Sequence, residues 1–105
     1  MQVKWGKRAL RRLDGAVDYG LRQFGKITSE RFYRKMRSYD VLLSLNPQMG
    51  KVEPLLAGRR YEYRSLVVHE HYKLVYYINE AKDRIVIADL WDTRQEPRQL
   101  AEQTL

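Results

Sequence analysis

A chain of 105 residues that is 44% hydrophobic can bury one modest core, which points to a single domain over residues 1–105. It has no cysteine, which excludes a disulfide framework and a thiolate zinc site. It has no apolar run of membrane-spanning length and no signal-peptide h-region in "MQVKWGKRALRRLDG", so a small cytoplasmic domain is expected. The net charge of +7 is uneven: residues 1–37 hold 11 Lys and Arg against 3 acids, and residues 38–105 hold 9 against 10, so a polyanion or an acidic protein is the partner to expect.

"QVKW" (Gln2–Trp5) is a short β-like run stopped by Gly6. From Lys7 the period changes: Leu10, Leu13, Val17, Leu21 and Phe24 step by three and four along one face of a helix that ends near Gly25. Gly15 and Gly20 weaken its interior, or mark where another backbone comes close. "KITSERFYRKMRSYDVLLSL" is a second helix with the stripe Phe32, Met36, Tyr39 and Leu43, capped by Thr28 or Ser29 and stopped at Asn46-Pro47. The link around Gly25 and Lys26 is so short that the two helices form an antiparallel hairpin.

"NPQMGKVEPLLAGRRY" reads as a connecting loop. Three strands follow, near Tyr61–His69, His71–Ile78 and Arg84–Trp91, with short turns that make an antiparallel meander. The polar tail holds one helical turn after Pro97. The expected fold is therefore α+β: an N-terminal strand, a helical hairpin and a three-stranded meander, with the helices on one face of the sheet. Side chains alternate along a strand, so Leu74, Tyr76 and Ile78 suit the helices. The other face stays partly open, and Arg64 and Lys73 can meet there, although the register is not readable from sequence.

These segments in this order resemble the RelE/ParE superfamily of toxins from bacterial type II toxin–antitoxin modules. The resemblance spans nearly the whole chain and is carried by the basic hairpin, "NPQMG", "YEYRSLVV", "YKLVYYI" and the closing "LWDTRQEP". It implies a toxin of a plasmid-stabilisation or addiction module that a cognate antitoxin neutralises in a hetero-oligomer. It also implies one of two targets. ParE-like members block DNA gyrase by binding it; RelE-like members cut mRNA on the ribosome, without a metal or other cofactor. An inactive remnant that keeps the fold as a binding module is a third reading.

Under the RelE-like reading, the resemblance carries catalytic cations onto Arg64, Lys73 and Arg94. The terminal Tyr or His of those nucleases has no counterpart, and His71, in a turn, is the one near-neutral candidate base. Lys and Arg are poor bases at neutral pH because they titrate at about 10.4 and above 12. The missing parts favour the ParE-like reading. His69 and His71 have no evident third partner for a metal. The acidic antitoxin is expected over the hairpin and sheet, with its carboxylates against Arg11, Arg12, Arg34 and Arg37.

Overall fold

Gly25 ends one helix and starts the next. In the computed structural model, which describes residues 1–104, α1 spans Lys7–Phe24 and α2 spans Lys26–Leu45. Gly25 lies between them at φ 89°, a left-handed conformation that favours glycine; its N–H bonds to Leu21 and its carbonyl accepts from Ser29. This corrects the expected cap, because α2 begins three residues before Ser29. Ser29 is instead buried within the hairpin, where its Oγ donates to the Val17 carbonyl at 2.7 Å. Gly20 faces Ser29 across the hairpin, where an added Cβ would make ordinary contact at 3.7 Å from Ser29 Oγ, so the close approach does not demand glycine. Gly15 has no packing neighbour at all. A Cβ added to it meets nothing within 4 Å, yet glycine costs a helix interior about 1 kcal/mol relative to alanine.

Five strands follow the order β1-β5-β4-β3-β2 among the described residues, where β1 is Gln2–Trp5, β2 Lys51–Val52, β3 Tyr63–His69, β4 Tyr72–Asn79 and β5 Arg84–Asp92. The meander β3-β4-β5 is antiparallel as expected, and β1 adds to β5 in parallel with Trp5 opposite Ile87. The expected loop after α2 contains β2 and a 3₁₀ turn at Pro54–Leu56. Trp5, Leu13, Met36, Leu43, Leu74, Tyr76, Ile85 and Ile87 form the core between hairpin and sheet. Fully burying each large side chain contributes roughly 1.5–3 kcal/mol.

The second face of the sheet is not open. Tyr63, Val75 and Trp91 alternate onto it and need cover, which Leu56 of the 3₁₀ turn and Leu100 of α3 (Pro97–Gln103) supply. Three arginines anchor the C-terminal end of α3, two of them through backbone carbonyls, where cations complement the helix dipole. Arg59 donates to the carbonyls of Ala101, at 2.6 Å, and Thr104. Arg8 donates to the Gln103 carbonyl and Arg12 to Gln103 Oε1 at 2.6 Å. Asp89 lies beneath Arg12, 1% exposed and 3.6 Å from its Nε. Neither Asp89 oxygen completes a hydrogen bond of normal geometry among the described residues. None of the described helices is long and apolar enough to cross a membrane.

Burial pushes the Asp89 carboxyl above its ordinary range, against the lowering pull of Arg12 and Arg8. A carboxyl raised in the folded state adds stability at acid pH that is lost as pH rises through its folded pKa. Asp89→Asn should therefore be more stable than the parent at pH 7. The advantage should shrink as pH falls toward the ordinary carboxyl range. Thermal melts of both proteins across pH 4–8 check this, and an advantage that does not change with pH would contradict it.

Candidate functional site

The register places Arg64 opposite Tyr76 and Lys73 opposite Val67. Residues directly opposite share a face, so Arg64 belongs to the helix side and Lys73 to the side covered by α3. The two cations do not meet, which corrects the shared face expected above. Each also has its own acceptor. Arg64 Nη1 donates to the Gly50 carbonyl at 2.8 Å, and its Nη2 lies 3.3 Å from Glu62. Lys73 donates to Glu53, a residue 3% exposed in the loop before the 3₁₀ turn. Burial alone would raise the Glu53 carboxyl, but the Lys73 hydrogen bond and the Leu55 N–H bring it below its ordinary value. An acid in an aperiodic, proline-containing loop gave no sequence signal of this role.

Arg94 stands just beyond β5 and is exposed. Its Nε and Nη2 grip Asp92 at 3.0 and 2.8 Å, and its backbone N–H bonds the same carboxylate at 3.0 Å. The Arg94 hydrogen bond, against some burial, lowers the Asp92 carboxyl, and His71 contributes to the same lowering. Arg94 therefore grips Asp92, while Arg64 and Lys73 lie elsewhere. The His71 ring is 4.0 Å from Glu70, and the His69 ring packs edge-on against Phe32 at 5.6 Å. The described residues contain no group of three His, Cys, Asp or Glu side chains that could hold a metal.

A cleft of about 270 Å³ opens beside Arg94 between α1 and the ends of β4 and β5; Gly15, Tyr19, Tyr72 and Leu90 are among the residues that line it. Burial raises the Tyr72 phenol, with Asp92 adding to the rise and Arg94 opposing it. A larger depression of about 630 Å³ near Asn46 and Ile78 has Glu80 as its one charged lining residue. The four arginines expected to meet an antitoxin divide two and two. Arg12 serves Gln103 and Asp89, and Arg37 serves Asp40 at 3.2 Å and covers the Trp5 ring at 5.6 Å. Arg11 is exposed with no partner among the described residues, and Arg34 is exposed at 4.0 Å from Glu30.

A basic helical hairpin on a meander, with cations held apart by their own acceptors, defines a small α+β protein. The family model described as the ParE toxin of the type II toxin–antitoxin system, parDE, matches residues 3–97, and the chain belongs to that family. Its solved structural relatives include one described as the chromosomal ParDE TA system from P. aeruginosa. That structure is 16% identical with a TM-score of 0.70, over 88% of this chain and 95% of that one. Another, the YoeB/ParE toxin from Agrobacterium tumefaciens, is 18% identical with a TM-score of 0.58, over 88% and 98%. At these identities the likeness shows the fold. Among curated proteins, none matches this chain in sequence. Membership in the family implies an antitoxin partner.

The Lys73–Glu53 pair sets a structural test. Removing one partner of a buried ion pair leaves the other charge uncompensated, a loss of roughly 3–5 kcal/mol. Lys73 keeps 19% exposure, so Lys73→Ala should cost about 3 kcal/mol. The double variant Lys73→Met/Glu53→Gln should recover most of that loss. Denaturant unfolding of the two variants measures it; a Lys73→Ala protein as stable as the parent would show that the pair contributes little.

Proposed function

We propose that this toxin acts as ParE-like members do, by binding DNA gyrase rather than by cutting RNA. The observation that carries the reading is the separation and neutralisation of the candidate cations. Cleavage by 2′-OH attack needs a base, an acid and cations gathered around one phosphate. Here Arg64 and Lys73 lie on opposite faces, and each of Arg64, Lys73 and Arg94 is already held by an acceptor of its own. An inhibitor that works through a protein–protein surface needs no such convergence.

The ribonuclease reading keeps one specific support, since Arg94 is exposed beside a cleft that Tyr19 and Tyr72 also line. Purified protein should inhibit gyrase supercoiling and leave mRNA intact on programmed ribosomes. Defined cleavage products in the ribosomal A site, lost in Arg94→Ala, would reverse the assignment. Failure in both assays would support a binding module that has lost toxicity.

The antitoxin is acidic in this reading and lies along α2. Ile27, Val41 and Leu45 are exposed by 72%, 63% and 74%, and Arg34 is seven residues from both Ile27 and Val41. Seven residues are nearly two helical turns, so these side chains form one outward stripe of apolar anchors around a cation. Arg11 and Arg34 then carry the electrostatic attraction, while Arg12 and Arg37 stay with their internal partners. Association with the antitoxin should slow as salt rises, and Val41→Glu/Leu45→Glu should weaken the complex by at least tenfold. Stopped-flow rates and titration calorimetry measure both. Binding unchanged in the double variant would move the antitoxin to another surface.

A further inference from the structure

Gly15 interrupts a helix that would be more stable with almost any other residue, and nothing in the fold requires it. It lines the cleft of about 270 Å³ together with Ala16, Tyr19, Tyr72, Leu90 and Arg94. A side chain at position 15 would project into open space beside that cleft. The hydroxyls of Tyr19 and Tyr72 have no hydrogen-bond partner among the described residues, and the Arg94 fork leaves its Nη1 donors unused. The floor is apolar, from Leu90 and Ala16, and the rim holds donors together with the Asp92 carboxylate, whose charge Arg94 neutralises.

We propose that this cleft is a receptor for a single carboxylate side chain of an acidic peptide segment, kept open by Gly15 and read by Tyr19, Tyr72 and Arg94. The volume suits one or two side chains. The stem of a glutamate would pass over Leu90 and Ala16, and its carboxylate would take donors from the two phenols and from Arg94 Nη1. A phenol is protonated at neutral pH, and burial pushes Tyr72 further in that direction, so it donates. A phosphate fits less well. It favours a bidentate guanidinium, and the Arg94 fork is committed to Asp92; the Asp92 charge opposes any anion, but a dianion more strongly than a single carboxylate. The proposal holds whichever cellular target the toxin acts on.

The test uses the intact chain labelled with ¹⁵N and a capped hexapeptide of alternating Glu and Leu. At millimolar concentration the peptide should shift the Gly15 and Tyr19 amides and the Arg94 Nε signal, and its Gln counterpart should not. Gly15→Phe should weaken binding at least tenfold. Gly15→Ala should bind within about threefold of the parent, because a methyl group is small against the cleft. Thermal melts establish that both variants fold, and Arg94→Gln supplies a second loss of binding that leaves α1 untouched. No shifts with the acidic peptide, equal shifts with the Gln peptide, or unchanged binding in Gly15→Phe would each overturn the proposal. Tighter binding of an oligoribonucleotide or of inorganic phosphate at the same signals would also overturn it and assign the cleft to phosphate.

Discussion

The phenol of Tyr76 is the joint on which the two halves of the molecule depend. The residue is fully buried in the centre of β4, and its hydroxyl donates to the Pro47 carbonyl and accepts from the Gly50 N–H, at 2.8 and 2.9 Å. A buried hydroxyl left unmatched would cost roughly 1–3 kcal/mol, so these bonds tie the chain leaving α2 to the middle of the sheet. Position 50 must be glycine for this to work: a Cβ there would come within 2.8 Å of the Tyr76 ring and of the Ser65 carbonyl. From that anchor the chain enters β2, which pairs with Arg64 and Ser65. The Gly50 carbonyl then captures Arg64. The direction of a residue that looked catalytic thus follows from where a tyrosine hydroxyl finds its partners.

Both faces of β4 are covered, and this explains why the site is dispersed. Leu74 and Tyr76 serve the helical core; Val75 serves the smaller core under α3. A cation on either face must come to terms with a dry neighbourhood, and Lys73 does so by pairing with Glu53. Charge neutralised in place to make burial tolerable is not free to stabilise a pentacoordinate phosphate. Where the sheet runs out, at Asp92 and Arg94, polar groups stand at the surface, and Arg94 keeps a donor that Asp92 does not use.

The helices and the meander were legible because their periods are clean. Met36 and Leu43 recur at helical spacing, and Leu74 and Tyr76 alternate at strand spacing. The shared face of Arg64 and Lys73 was not legible. Alternation within each strand places a residue on one of two faces, but the relation between strands depends on register, and a bulge near Val67–His69 adjusts it. The covered second face did leave a trace. The unbroken apolar run from Leu74 to Ile78 is the pattern of a strand buried on both sides rather than one. Its covers were hidden, since Leu56 and Leu100 are single apolar residues in otherwise irregular or polar segments.

The basic N-terminal half is also not one feature but two. Arg8 and Arg12 turn inward and, with Arg59 from the sheet side, hold the carbonyl end of α3 in place. Arg37 covers Trp5 and bridges to Asp40. These cations explain part of the charge excess by architecture alone, because the C-terminal end of a helix attracts them. What remains on the outside is Lys4 on β1, Lys7, Arg11 and Arg22 on α1, and Lys26, Arg31, Arg34 and Lys35 on α2, all exposed. The excess that can be felt at a distance is thus shared by both helices, and on α2 it stands beside the exposed Ile27, Val41 and Leu45. Steering charge and exposed apolar anchors on one element are the two ingredients of a fast and lasting protein contact. Neither is needed to stabilise the fold beneath them.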